Sequence, residues 1–118
     1  MSDSLAQRDK LVILWTNGDK EVADKMVFMY ALNAKKKGWW QDICLMVWGP
    51  SARLLSTDAE LQASLAGILE TGVEVVACKE CADRYGISNK LEQVGIEVKY
   101  TGLLLTQFLK EGYKVITI

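Results

Sequence analysis

Short apolar segments alternate with helical patterns along almost the whole chain, and this alternation most constrains the fold. LVILWT (11–16), DICLMVWG (42–49) and VEVVAC (73–78) are nearly continuous apolar runs rich in β-branched residues. Such runs are typical of strands that are buried on both faces. The segments between them have apolar residues at helical spacing. Strands of this kind, joined by helices, predict a mainly parallel sheet with helices on both of its faces.

The predicted helices begin and end at recognisable residues. The helix over 19–37 ends in a run of lysines, whose charges suit the negative end of a helix dipole. Pro50 suits the first turn of the next helix. Thr57 and Glu60 have the spacing of a capping box, which predicts a further helix over 58–70.

The C-terminal part continues the same pattern. It contains a short helix at 79–85, a strand IEVKY at 96–100, a helix in TGLLLTQFLKEG and a closing strand YKVITI. No linker, repeat or low-complexity segment divides the chain. The predicted fold is a three-layer α/β/α sandwich around a mainly parallel five-stranded sheet. We expect one domain over 1–118, with a polar N-terminal extension at 1–10.

Composition excludes several classes of function. Lysine and arginine number 14 against 15 acidic residues, so nothing favours nucleic acid or an anionic membrane as a partner. No apolar stretch approaches the length of a membrane span, and the polar start is unlike a signal peptide, so we expect a cytoplasmic protein. Histidine is absent, which excludes Ser-His-Asp and Cys-His catalysis and every zinc site that needs histidine.

The cysteines are the main candidates for chemistry, because open parallel sheets bind ligands at the carboxyl ends of their strands. Cys78 ends the third predicted strand and begins a helix, a position that favours the reactive thiolate. A small buried residue closing a strand is the alternative for Cys78. Cys81 is either a resolving thiol or a residue packed beneath the helix. Cys44, in mid-strand, is expected to be inert.

Residues that follow the first two strands are candidates for binding a substrate at the same edge. They are Asn17, Gly18, Trp48, Gly49, Pro50, Ser51 and Arg53. Gly49 permits the backbone to approach a substrate closely, and Arg53 adds positive charge to the site. Trp15 and Trp48 either keep water from a labile sulfur species or simply pack at the edge of the sheet.

Metal and cofactor sites fit the sequence poorly. Three cysteines without histidine cannot supply four zinc ligands within one subunit. Cys78 and Cys81 have the spacing of a thioredoxin-type dithiol. The motif of that class normally has a proline later in the chain, but the single proline here, Pro50, precedes both of them. The TNGDKE segment has acidic side chains that repel phosphate, and neither GxGxxG nor a Walker motif occurs. We therefore expect no metal and no cofactor.

Three segments in a fixed order carry a resemblance to a known family. WTNGD follows the first strand, WGPSARLL the second, and ACKECADRYG spans the end of the third. This order resembles the DsrE/DsrF-like family, which includes YchN-like and TusD-like sulfur-relay proteins, and the likeness extends from Leu11 to Ile118. The resemblance implies a DsrEFH-like domain that forms homotrimers, homohexamers or related hetero-oligomers. It also implies that Cys78 takes up sulfur as a persulfide and passes it to a partner protein.

Three functions stay open at this point. The first is a sulfurtransferase-like carrier, in which the Cys78 thiolate accepts sulfane sulfur from a donor protein and delivers it to an acceptor thiol. The second is a dithiol redox protein that uses Cys78 and Cys81 together. The third is a non-catalytic oligomeric binding module. The last helix has more apolar residues than one face needs, which independently predicts a homo-oligomer.

Overall fold

A five-stranded parallel sheet forms the centre of the protein. The computed structural model describes residues 9–118. In chain order the strands are β1 (Lys10–Trp15), β2 (Asp42–Val47), β3 (Glu74–Cys78), β4 (Glu97–Lys99) and β5 (Lys114–Thr117). The strand order is β4-β3-β2-β1-β5, and neighbouring strands pair in parallel. The predicted α/β fold with a five-stranded, mainly parallel sheet is confirmed.

Helices connect successive strands. The first, α1, is α-helical at Lys20–Val22, π-helical at Ala23–Phe28 and α-helical again at Met29–Lys36. The others are α2 (Pro50–Thr57), α3 (Ala59–Glu70), α4 (Lys79–Tyr85), α5 (Ser88–Gln93) and α6 (Thr101–Lys110). The sequence predicted the first helix but not its π-helical segment, in which the consecutive residues Val27 and Phe28 are both buried.

The beginning of α3 differs from the prediction. Asp58, not Thr57, is the N-cap, and its carboxylate accepts the backbone N–H of Leu61 at 2.9 Å. Thr57 is the last residue of α2, and its hydroxyl donates to the carbonyl of Leu54 at 3.2 Å. The predicted capping box was wrong because α2 continues through Thr57 before the backbone extends at Asp58. Pro50 does occupy the first turn of α2, as predicted.

The two faces of the sheet are covered unequally. Helices α1 to α5 pack on one face, over a large core that contains the fully buried Ile13, Trp15 and Leu45. On the other face, α6 packs over a smaller cluster. That cluster consists of Val12, Cys44, Met46 and Val76. The arrangement follows from strand geometry, since alternate residues of β1, β2 and β3 point to opposite faces.

Two further expectations concern the N-terminus and the membrane. The polar extension predicted for residues 1–10 lies outside the described residues, apart from Asp9 and Lys10, and Lys10 already belongs to β1. Among the helices within residues 9–118, none is long and apolar enough to cross a bilayer.

Two leucines of α3 test the position of the larger core. Leu65 is completely buried, whereas Leu69 is half-buried. We expect Leu65→Ala to lower the free energy of unfolding by about 2–5 kcal/mol, because it leaves a cavity against the sheet. Leu69→Ala removes the same atoms and has a similar cost in helix propensity. We expect it to lower the free energy of unfolding by less, because Leu69 is only half-buried. Urea unfolding followed by circular dichroism measures both, and equal losses would contradict this packing.

Candidate functional site

The parallel register places the ends of four strands side by side. Trp15 pairs with Val47, and Val47 pairs with Ala77 on the next strand. Cys78 pairs with Lys99 at the end of β4. The loops that follow these strands therefore meet at one edge of the sheet, which is the edge where ligands bind in open parallel sheets.

Buried contacts join the loops after β1 and β2. The fully buried hydroxyl of Ser51 donates to the carbonyl of Trp15 at 2.6 Å and accepts the backbone N–H of Trp48 at 3.1 Å. Gly18 lies against Pro50, since a Cβ added at Gly18 would be 3.1 Å from the Pro50 Cβ. Ser51, Gly18 and Pro50 thus position the two loops relative to each other.

Cys78 is both the last residue of β3 and the N-cap of α4. Its backbone is extended, with φ −65° and ψ 114°, and its sulfur accepts the backbone N–H of Cys81 at 3.5 Å. The residue is 6% exposed. A backbone N–H and the N-terminal end of a helix both stabilise negative charge, so this position suits a thiolate or a persulfide anion.

Cys81 lies in the first turn of α4 and contacts the same sulfur. Burial raises the pKa of the half-buried Cys81 thiol, and its hydrogen bond with Cys78 raises it further. The backbone N–H of Gly49 has the opposite, smaller effect on this pKa. The Cys81 thiol is therefore mainly protonated at neutral pH, and the backbone N–H of the same residue is bonded to the Cys78 sulfur.

A cleft of about 340 Å³ opens beside the two cysteines. Trp48 and Tyr100 form aromatic parts of its wall, and Leu103 of α6 adds an aliphatic part. Glu80 contributes the acidic side chain of the lining. The cleft is large enough for a small group or for the end of a side chain.

Charged side chains of α4 pair with each other beside this cleft. Lys79 Nζ lies 2.8 Å from the Asp83 carboxylate, and Arg84 lies 3.0 Å from the Glu80 carboxylate. The Lys79 ammonium is also 5.9 Å from the centre of the Tyr100 ring. Backbone N–H groups are the polar groups in contact with the sulfurs, whereas the Glu80 charge acts on the Cys81 thiol and adds to the rise of its pKa.

The other predicted residues have different surroundings. The side-chain oxygen of Asn17 accepts the N–H of Asp19 at 2.8 Å, which shapes the loop after β1. The Arg53 guanidinium lies 5.6 Å from the centre of the Tyr85 ring, at the other end of α4. Trp15 is completely buried in the larger core, so of its two predicted roles it has the packing one. The structure brings Trp48, Cys78 and Cys81 together, with Gly49 alongside.

Two wall residues were not among the predicted site residues. Tyr100 ends the fourth predicted strand, IEVKY, so the strand-end rule places it at this edge, but only residues after the first two strands were chosen as binding candidates. Leu103 lies in the first turn of α6, and nothing in the sequence separates it from the other leucines there. Between them, Thr101 is completely buried, and within the described residues its hydroxyl lacks a hydrogen-bond partner.

A second cleft, of about 260 Å³, lies at the opposite edge of the sheet. Cys44 lines it together with Asp42 and Glu74. Burial raises the pKa of Cys44 to about 12, with Glu74 adding to the effect, so this thiol is not a nucleophile at neutral pH. Within residues 9–118 no group of three or more potential metal ligands is placed to hold a metal ion.

The family comparison covers the whole described chain. The family model described as "DsrE/DsrF-like family" matches residues 9–118. None of the curated proteins is significantly similar to the chain in sequence.

Several solved structures are similar to the protein. A conserved protein of unknown function from Bacteroides thetaiotaomicron, BT1422, has 39% sequence identity and a TM-score of 0.90 over 93% of this chain and 95% of its own. The ychN protein of E. coli has 17% identity and a TM-score of 0.73, over 94% and 99% of the two chains. MTH1491, of unknown function, from Methanobacterium thermoautotrophicum, has 16% identity and a TM-score of 0.69, over 92% and 98%. The last two likenesses show the fold alone.

Two glycines test the backbone beside the cysteines. Gly49 has φ 73° and ψ −130°, which only glycine adopts readily. We expect Gly49→Ala to lower the free energy of unfolding by about 1–3 kcal/mol. Gly67 is the control, because a Cβ added there in α3 meets nothing within 4 Å, and Gly67→Ala is expected to stabilise by about 0.5–1 kcal/mol. Urea titration compares the two, and equal effects would refute the strained Gly49 turn.

Proposed function

Because the chain belongs to the DsrE/DsrF-like family, which is broadly related to sulfur relay, we propose that it is a sulfur carrier whose Cys78 accepts sulfane sulfur as a persulfide. The observation that carries the proposal is the position of Cys78. It closes β3, caps α4, receives a backbone N–H and lines a cleft at the carboxyl edge of the sheet. The resemblance drawn from the sequence implies a reactive cysteine after the third strand.

The proposed transfer consists of two exchanges at sulfur. In loading, the Cys78 thiolate attacks the outer sulfur of a donor persulfide, a new S–S bond forms, and the donor thiolate leaves. In delivery, an acceptor thiolate attacks the outer sulfur on Cys78, and the Cys78 thiolate is restored. Neither exchange needs an oxidant or a metal, and each requires a thiolate nucleophile.

The lining of the cleft supports this role for Cys78. Trp48, Tyr100 and Leu103 line the cleft with apolar surface next to Cys78, which is itself 6% exposed. The N–H of Cys81 donates toward the anion at its base. The opening allows a donor or acceptor protein to present its own sulfur to Cys78.

Loading of Cys78 is the direct test. We expect the reduced protein to gain one sulfur atom in intact-mass spectra after exposure to polysulfide, and to lose it on treatment with dithiothreitol. Cys78→Ser is expected to abolish the gain, because the nucleophile is absent. Cys44→Ser is the matched control and is expected to load normally, since the Cys44 thiol is buried and protonated.

Other results identify the competing functions. Undiminished loading in the Cys78→Ser protein would refute the assignment of this cysteine. The contact between Cys78 and Cys81 also favours a dithiol redox protein. Such a protein would lose two hydrogens under mild oxidant. It would never gain sulfur, even when Cys81 is replaced. A binding module without chemistry would show neither change.

We further propose that the carrier is a homo-oligomer that assembles through α6. Leu103 and Leu109 of this helix are 66% and 55% exposed, and Tyr100 at its N-terminus is 64% exposed. Large apolar side chains grouped on one helix are typical of a surface that a second subunit covers. The resemblance drawn from the sequence implies a trimer or a hexamer.

A single charge tests the proposed interface. We expect light scattering at micromolar concentration to give a mass of several chains for the wild type, and a lower mass for Leu109→Glu, because the interface would bury an unpaired carboxylate. Ala66→Glu is the control, since Ala66 is exposed on α3, in the opposite helical layer. A wild-type mass of one chain would contradict the proposal.

A further inference from the structure

We propose that Cys81 is a resolving thiol, which gives the site a second outcome: reductive release of the bound sulfur as hydrosulfide. This inference rests on the proposed loading of Cys78. It assigns Cys81 a direct part in the chemistry, and it predicts that a persulfide left without an acceptor is converted into a Cys78–Cys81 disulfide.

The position of Cys78 outside the helix places its sulfur next to the first turn of α4, where Cys81 lies. Two cysteines three residues apart inside a helix have Cβ atoms about 5–6 Å apart, whereas a disulfide needs about 3.5–4.5 Å. Cys78 instead has extended backbone and turns its sulfur over the first turn of α4, 3.5 Å from the N–H of Cys81. The Cys81 thiol is near enough to that sulfur for Cys78 to raise its pKa.

Cys78 and Cys81 also line the same cleft, so a sulfur atom loaded on Cys78 lies in the cleft that Cys81 lines. Cys44 cannot replace Cys81. It lines the cleft at the opposite edge of the sheet, and it is 4% exposed beneath α6. Within the chain, Cys81 is thus the thiol positioned to attack the persulfide.

The reaction balances without an external oxidant. The Cys81 sulfur attacks the inner sulfur, the one bonded to the Cys78 side chain, and a bond forms between the two cysteine sulfurs. The bond to the outer sulfur breaks, and that atom leaves with the electron pair as hydrosulfide, which takes up the proton lost by Cys81. The sulfane sulfur is reduced, and the two cysteines are oxidised to a disulfide. A thiol reductant of the cell then restores both thiols.

The protonated state of Cys81 favours carriage over release. Its pKa is raised by burial and by the hydrogen bond with Cys78, so only a small fraction is thiolate at neutral pH. Attack on the persulfide is slow under these conditions, because the thiolate is the attacking form. A donor and an acceptor therefore have time to use the site before Cys81 empties it.

A time course tests this inference on the full chain. The reduced protein is loaded with polysulfide, freed of excess reagent, alkylated at intervals and analysed by intact mass, while released sulfide is assayed. We expect the sulfur adduct of the wild type to convert into a form lacking two hydrogens, with one hydrosulfide released per converted chain. With Cys81→Ser, which keeps a hydroxyl at that place, we expect the adduct to persist about tenfold longer or more.

Controls separate this inference from the proposed function. Cys44→Ser is expected to behave as the wild type, and reduced protein without polysulfide is expected to keep both thiols over the same period. An adduct of equal lifetime in the wild type and in Cys81→Ser, or a disulfide forming as fast without polysulfide, would overturn the resolving role and leave the carrier intact. Absence of the adduct from Cys81→Ser as well as from the wild type would overturn the carrier itself.

Discussion

Parallel pairing of β1, β2 and β3 determines both the core and the candidate site. Each strand is buried on both faces, so its alternate residues belong to different clusters. In β3, Val75 and Ala77 face the larger core, while Val76 faces α6. Cys78 continues the second set, which directs its sulfur toward the cleft formed with α6. A shift of β3 by one residue would exchange these sets and bury the sulfur among the other helices.

The polar contacts of the two cysteine sulfurs come from the backbone rather than from charged side chains. Lys79 and Glu80, the charges nearest to Cys78 in sequence, are paired with Asp83 and Arg84 on the surface of α4. Glu80 also lines the cleft, but the groups that contact the sulfurs are N–H groups at the start of α4 and at Gly49. Such N–H dipoles stabilise a small anion, but they bind it less tightly than a positively charged side chain would. The proposed carrier function needs this property, because the sulfur must also leave.

Most of the architecture could be predicted from the sequence. Apolar runs and apolar residues at helical spacing indicate directly which residues are buried. The candidate site was predictable only where residues follow strands, as for Trp48 and Cys78. Side-chain direction was not predictable in the same way. Ser51 and Trp15 stand at the same edge, yet one joins two loops and the other is in the core. The π-helical part of α1 was not predictable, because Ala23–Phe28 is too short a segment to change the spacing of apolar residues detectably.

Unequal covering of the sheet links the surface of the protein to its candidate chemistry. One helix, α6, covers Val12, Cys44 and their neighbours on one face, and its N-terminal turn also forms part of the wall beside Cys78. Leu103 belongs both to that wall and to the exposed apolar surface of the helix. A protein bound over this turn would narrow the opening of the cleft and remove water from the sulfurs. In the proposed assembly, docking on α6 and access to Cys78 are therefore physically coupled through Leu103 and through Tyr100, which is also exposed and also lines the cleft.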